Sequence, residues 1–147
     1  MAPAADMTWS ETAMKESFYF SNMCPQNPGL NRGAWKDLEE SIRKWVKKDS
    51  AIAIVCGPLV DKRDTTIGRN EVKIPHAFFK VIVSPYVTTP RGIGFVFKNE
   101  KEDAPLSAYV VSIDSVEALT GMDFFSELPD ELENRLESQN NIFDWEL

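Results

Sequence analysis

The sequence is poor in the residues that usually form metal clusters, disulfide frameworks and histidine-based active sites. Its 147 residues include two cysteines, Cys24 and Cys56, and one histidine, His76. Two thiols this far apart predict neither a zinc cluster nor a disulfide framework, so both are interpreted as small core residues. The composition therefore excludes sites that need several thiol or imidazole ligands from this stretch of chain.

Long apolar runs and an excess of positive charge are also missing. No run of about 18 apolar residues occurs, so no membrane span is predicted, and residues 1–6 have neither the basic nor the apolar region of a signal peptide. The formal net charge of −7 is evidence against a module that binds nucleic acid through positive charge alone. It is weaker evidence against a metal-dependent hydrolase, because a bound cation supplies local positive charge.

The residues that are present predict one folded domain over 1–147. Hydrophobic residues make up 43% of the chain, and no repeat or Gly/Ser linker interrupts it. Strands and helices mix without strict alternation, which favours an α+β fold. The predicted elements are a long helix over 30–47, strands over 51–55, 78–83, 94–97 and 107–113, a loop or hairpin over 61–73, and helices over 114–121 and 129–136.

The helix predicted over 30–47 carries polar residues on or beside its apolar face. Its core-facing side chains fall within roughly 60° of one direction, and they are Trp35, Leu38, Ile42, Trp45 and Val46. Asn31 falls in the middle of this stripe and Glu39 at its edge. A buried amide without a partner costs about 1–3 kcal/mol. Asn31 could therefore serve as the helix N-cap or bind a hard divalent cation, and spacing alone favours the cap.

Glu39 and Arg43 have the i,i+4 spacing and order of a helical ion pair. Such a pair on a helix surface is worth about 0.2–0.5 kcal/mol. Without further context, an ordinary surface pair is the simpler interpretation of these two residues.

Several short motifs occur in series along the chain. They are MAPAADM at 1–7, FSNMCPQ at 20–26, LNRGAW at 30–35, Leu38-Glu39, VCGPL at 55–59, Ile74-Pro75 followed by FFKV at 78–81, and GFVF at 94–97. In order and spacing they resemble the DNA/RNA non-specific endonuclease family, which includes secreted bacterial sugar-non-specific nucleases and mitochondrial endonuclease G. The resemblance runs from residue 1 to about residue 137.

The resemblance implies a ββα-metal (His-Me finger) nuclease core with a mixed or antiparallel sheet flanked by helices. It implies one Mg²⁺, or another divalent cation, bound directly by Asn31 with waters completing the shell. Glu39 and Arg43 match the family's supporting acid and phosphate-directed arginine, and Asn22 and Gln26 match polar residues that line the substrate site. The implied reaction is phosphodiester hydrolysis in DNA and RNA through phosphate contacts that do not read sequence. A homodimer is compatible with this family, and no compartment is predicted.

The sequence departs from the family pattern at the general base. That histidine belongs to an Asp-Arg-Gly-His motif that would precede Met1, together with the first strands of the hairpin. We therefore expect an N-terminally truncated chain with impaired activity, because loss of a general base costs about 10²–10⁴-fold in rate. A start at an internal methionine is favoured over a relic gene or a fragment. His76 is predicted to belong to the scaffold.

The alternative function is that of a catalytically inactive nuclease-fold remnant. Such a remnant would bind a metal ion, nucleic acid or a protein partner without cleaving a substrate. The acidic net charge and the missing histidine motif favour this alternative, whereas the retained Asn31, Glu39, Arg43 and Gln26 favour the nuclease.

Overall fold

A four-stranded antiparallel sheet lies between two layers of helices. The computed structural model describes residues 1–101 and 103–147. The strands, in chain order, are β1 (Ala53–Leu59), β2 (Thr66–Ile67), β3 (Val72–Lys73), β4 (Ala77–Ser84), β5 (Arg91–Lys98) and β6 (Val110–Val111). The main sheet has the order β1-β4-β5-β6, and β2 and β3 form a separate hairpin. The predicted α+β class, with an antiparallel sheet flanked by helices, is confirmed.

The described chain contains five α-helices. They are α1 (Glu11–Glu16), α2 (Pro28–Arg32), α3 (Ala34–Asp49), α4 (Ile113–Thr120) and α5 (Asp130–Glu137). Short 3₁₀ helices lie at Ala4–Met7, Phe20–Asn22, Leu106–Tyr109 and Ile142–Trp145. The helices predicted over 114–121 and 129–136 are confirmed to within about a residue. None of the helices described is long and apolar enough to cross a membrane.

Strand β4 is buried along its whole length because helices cover both faces of the sheet. Phe78 packs in one core cluster with α3, and its ring centroid lies 5.8 Å from that of Trp35. Phe79, on the opposite face, packs in a second cluster with residues of α4 and α5. This alternation follows from the two-residue period of a strand. It brings Lys80 to the α3 side, where its Nζ lies 4.3 Å from the centroid of the Trp35 ring.

Two strand predictions were partly wrong. Strand β1 continues through Gly57-Pro58 rather than ending before them, and Ala53–Val55 is exposed rather than buried. In the part of the chain that the structure describes, β1 pairs only with β4, and an edge strand tolerates proline because one row of its N–H groups has no ladder partner. Of the strand predicted over 107–113, only Val110–Val111 is a strand; the residues before it belong to the 3₁₀ helix Leu106–Tyr109, and Ile113 begins α4, since apolar runs alone do not distinguish strand from helix.

The helix predicted over 30–47 is two helices. Gly33, with φ −102° and ψ −122°, separates α2 from α3. Helix α2 begins at Pro28, two residues before the predicted start at residue 30, and its N-cap Asn27 accepts a hydrogen bond from the Gly29 N–H at 2.7 Å. The apolar stripe on α3 is confirmed as buried except for half-buried Val46. Because the helix axis is interrupted, the position of Asn31 does not follow from that stripe.

Candidate functional site

Asn31 lies on α2, two residues before the break at Gly33, and it is exposed. The predicted placement of this amide within the buried stripe was therefore wrong, because the stripe belongs to α3 alone. The N-cap interpretation was wrong as well. Asn27 is the N-cap of α2, and the backbone N–H of Asn31 donates to the Asn27 carbonyl at 2.9 Å, as an interior helical residue does.

Asn31 lines a cavity of about 480 Å³ beside the N-terminal segment. We call this the amide cavity. Three other predicted site residues, Asn22, Gln26 and Glu39, line the same cavity, and Met1–Ala5 forms part of its wall. The structure thus brings four of the five predicted site residues to one place.

Gln26 determines the orientation of the Asn31 side chain. The Asn31 Nδ2 donates to Gln26 Oε1 at 2.7 Å. The Asn31 Oδ1 accepts no hydrogen bond from any residue that the structure describes, so this oxygen is free at the cavity. Hard divalent cations accept neutral amide oxygens and keep several waters. The residues present therefore fit a hydrated cation at Asn31 Oδ1.

The amide nitrogen of Gln26 has no hydrogen-bond partner among the described residues. This Nε2 atom is also buried. A buried donor in this state costs about 1–3 kcal/mol. An acceptor such as water or a phosphate oxygen would remove that cost.

Asn22 is occupied by backbone groups. Its Oδ1 accepts from the Ala2 N–H at 2.6 Å, and its Nδ2 donates to the carbonyls of Ala2 and Ser17 at 2.8 and 2.7 Å. These bonds hold the N-terminal segment against the amide cavity. A direct contact between Asn22 and substrate stays a prediction.

Glu39 and Lys80 form a partly buried ion pair below the cavity. Lys80 is 2% exposed, and its Nζ lies 3.7 Å from Glu39 Oε1. Burial lowers the pKa of Lys80, and Glu39 opposes that shift. Burial raises the pKa of Glu39, whereas Lys80 and Arg43 act to lower it. The two cations therefore favour the ionised form of Glu39.

Glu39 also lines a second cavity of about 380 Å³, together with Asp6 and Lys80. Arg43 lines neither cavity. Its Nε donates to Asp6 Oδ1 at 2.6 Å, and its Nη2 lies 3.8 Å from Glu39 Oε2. The arginine predicted to contact phosphate is thus next to the site but engaged with Asp6.

His76 is placed away from these residues. Its Nδ1 lies 3.1 Å from Asp64 Oδ2, just before β4, and His76 lines neither cavity. This environment agrees with the prediction that His76 belongs to the scaffold.

Sequence reasoning missed two residues that organise the site. Asn99 accepts from the Asn27 N–H at 2.6 Å and donates to the carbonyls of Pro25 and Pro75 at 3.1 and 2.8 Å, so it fastens the loop before α2 to the start of β4. No sequence signal marks it. Lys80 did have a signal, because it is the single charged residue in the apolar run 78–83.

The chain is similar to nucleases of known family. The sequence model of the DNA/RNA non-specific endonuclease family matches residues 1–131. "Nuclease 1, mitochondrial" of Schizosaccharomyces pombe is 33% identical over 145 residues, which cover 86% of this chain and 45% of that protein. Human "Endonuclease G, mitochondrial" is 33% identical over 137 residues, which cover 84% of this chain and 46% of that protein.

A solved structure agrees with the fold and with these relatives. The chain superimposes on a chain from a crystal structure of the EndoG/EndoGI complex with a TM-score of 0.82 and 32% sequence identity. The match covers 90% of this chain and 60% of that chain. This chain spans less than half the length of the two curated relatives described above.

Proposed function

The chain belongs to the DNA/RNA non-specific endonuclease family, and from this premise we propose that it is a divalent-metal-dependent endonuclease. Its substrates are DNA and RNA, and its reaction is hydrolysis of phosphodiester bonds without sequence selection. The observation that carries the proposal is the free Oδ1 of Asn31 at the amide cavity, oriented by the bond between Asn31 Nδ2 and Gln26.

Asn31 holds the metal ion in this proposal, and Mg²⁺ is the proposed ion. A divalent cation at this position would stabilise the negative charge that develops on the phosphate and on the leaving 3′-oxygen. Gln26 holds the amide so that its oxygen, not its nitrogen, faces the cavity. Glu39 presents a carboxylate at the cavity wall, where Lys80 and Arg43 oppose the rise in its pKa that burial causes.

Phosphate groups are the part of the substrate that this site recognises. Arg43 exchanges its bond to Asp6 for a phosphate oxygen, because charge-assisted bonds from a guanidinium suit both acceptors. Contacts of this kind position the backbone and carry no sequence information.

A second function is supported by the position of His76. This residue is the one histidine of the sequence, it contacts Asp64, and it lines neither cavity. No general base is therefore assigned among the 147 residues. In this alternative the chain is a nuclease-fold module that binds a cation and nucleic acid without cleaving it.

Plasmid nicking tests the first proposal. The chain is joined behind an Asp-Arg-Gly-His segment from a family member, and nicking is measured with Mg²⁺. We expect Asn31→Ala to reduce the rate by at least about 100-fold, because even outer-shell substitutions cost 10–100-fold at metal sites. Asn140→Ala is the matched control, since Asn140 is exposed and far along the chain, and it should retain full activity. Full activity of Asn31→Ala would exclude Asn31 as the metal ligand.

Metal and DNA binding separate the two functions. Mn²⁺ binding to the 147-residue chain is followed by electron paramagnetic resonance, and binding to a short duplex by fluorescence anisotropy. Binding of both, with no nicking by the joined chain, would favour the binding module. Nicking by the joined chain that depends on Asn31 would favour the nuclease.

A further inference from the structure

Five carboxylates converge on the face of the sheet opposite the amide cavity. We call them the α4–α5 acidic cluster, and they are Asp114, Glu117, Asp123, Glu133 and Glu137. They form two groups of three that share Glu137. In each group one oxygen from every member lies within 4.8 Å of the others.

Local structure brings these like charges together. Glu133 and Glu137 are four residues apart on α5, so they share one face of that helix. Asp114 lies in the first turn of α4, and Glu117 follows one turn later. Helix α5 is pressed onto β5 where Gly92 has no side chain, since a Cβ there would lie 2.5 Å from the Leu136 carbonyl oxygen. Glu137 follows Leu136 directly and is held in this contact region.

Glu137 is buried without a partner. It is 6% exposed, and its Oε1 makes no hydrogen bond in the described structure. The Oε1 of Glu133 is also buried and unpartnered. Burying an unpaired ion is costly, by several kcal/mol in real proteins. The fold therefore retains a buried acid that interacts with other acids.

No cationic side chain among the described residues pairs with the cluster. None of the five residues forms an ion pair within residues 1–101 and 103–147. Among the five acids, only Glu117 accepts a hydrogen bond in the described structure: its Oε1 accepts from the Phe124 N–H at 2.7 Å. Burial, together with Glu117, Glu133 and the two aspartates, raises the pKa of Glu137 to about 7.

We propose that the α4–α5 acidic cluster binds one calcium ion, with Glu137 as the buried ligand shared by both groups of carboxylates. Calcium takes six to eight oxygen ligands at about 2.3–2.6 Å, so oxygens on opposite sides of the ion are about 4.6–5.2 Å apart. Within each group of three, the oxygens lie no more than 4.8 Å apart, which is compatible with ligation of one such ion, and Glu137 belongs to both groups. Magnesium needs a smaller, near-ideal octahedron and usually keeps several waters, which suits the single amide of Asn31 better than five carboxylates.

Calcium at this position would join α4, the connection at 121–129 and α5. The bound ion would offset the electrostatic repulsion among the carboxylates of the cluster. The site is separate from the one proposed at Asn31, so either assignment can fail without the other.

Thermal unfolding of the 147-residue chain tests the proposal. The Tm is measured at pH 7.5 in EDTA, in about 5 mM CaCl₂ and in about 5 mM MgCl₂ at matched ionic strength. For a calcium Kd near 10⁻⁴ M, we expect calcium to raise the Tm by roughly 4–9 °C. Magnesium should raise it by much less. Isothermal titration calorimetry should give one calcium per chain.

Three variants locate the effect. Glu137→Gln should lose the calcium-dependent shift, and it should fold because it removes a buried charge. Glu131→Gln, an exposed acid on the same helix and outside the cluster, should keep the shift. Asn31→Ala should also keep it, which separates this site from the proposed nuclease site. The absence of a calcium shift in the unmodified chain, an undiminished shift in Glu137→Gln, or an equal shift with magnesium would each overturn the proposal.

Discussion

Two glutamates on opposite faces of the sheet differ in how their charge is balanced. Glu39, on the α3 side, has Lys80 Nζ at 3.7 Å and Arg43 Nη2 at 3.8 Å. Glu137, on the α4–α5 side, is surrounded by other acids. Burial is the first cause of a raised pKa for both. Only Glu39 has cations from the chain to oppose that shift.

The difference separates the two cation sites proposed above by the kind of oxygen that each leaves unpaired. On the α3 face the charged groups neutralise one another, and the group left free is the neutral oxygen of Asn31. On the α4–α5 face the groups left free are carboxylates. The formal net charge of −7 is thus unevenly distributed, and the sign of the total says little about either site.

The largest effect on stability should come from removing the charge of Lys80, which pairs with Glu39. We expect Lys80→Met to lower the free energy of unfolding by about 2–4 kcal/mol, because one member of a buried pair is left behind. The double variant Glu39→Gln/Lys80→Met should recover most of that loss, since no buried charge remains. Urea unfolding at pH 7 measures both. If Lys80→Met is as stable as the unmodified chain, the pair does not balance Glu39.

The opposite change, a gain in stability, is expected at Glu137. In EDTA at pH 7.5, Glu137→Gln should raise the free energy of unfolding by about 1–2 kcal/mol. The groups that face Glu137 are Asp114 and Glu117 on α4, Asp123 in the connection, and Glu133 on α5.

The pH dependence of that gain has a definite sign. The pKa of Glu137 is about 7 in the folded chain, above the ordinary value of 4.5. The folded state therefore binds this proton more tightly, so its contribution to stability is present below about pH 4.5 and is lost as the pH rises through about 7. The difference between the variant and the unmodified chain should grow over this window. A constant difference from pH 4 to 8, measured by urea unfolding, would contradict the assignment.

The smallest effect should come from the exposed partner of Arg43. The Arg43–Asp6 side chains are 32% and 37% exposed, and pairs of this kind are worth about 0.2–1 kcal/mol. Asp6→Asn should therefore cost no more than about 1 kcal/mol. Glu11→Gln, which removes the more exposed pair with Lys15, is the matched control and should cost less. A loss above about 2 kcal/mol for Asp6→Asn would show that Arg43 depends on Asp6 for its position.

Local signals predicted the elements whose ends are set by one residue. Gly121 ends α4 with φ 69°, a left-handed conformation that glycine adopts readily. Pro129 immediately precedes α5 as its N-cap residue. The apolar run at 78–83 became the buried strand β4. In each case the predicted and the observed ends of the element differ by no more than a few residues.

The features that local signals could not predict depend on contacts between distant segments. The periodicity of apolar residues gives no sign that the helix breaks at Gly33, and that break moved Asn31 from the predicted core to the cavity. Lys80 could be noticed in its strand, but its pairing with Glu39 requires α3 to cross β4. The acids at Glu117 and Glu137 belong to separate helices, and only tertiary packing shows that they meet.

The bonds of Asn99 have a consequence for the order in which the chain folds. Its amide ties Asn27 and Pro25 to the end of β5 across 72 and 74 residues of sequence. Contacts at such separations form late, because a long loop must close before they contribute. Helix α2 can acquire its hydrogen bonds early, but the Asn99 bonds that fasten the loop before it form only once β5 and Asn99 are in place. Gln26 lies in the same loop and lines the amide cavity, so we expect a slow step in strand pairing to delay the final placement of this side of the cavity.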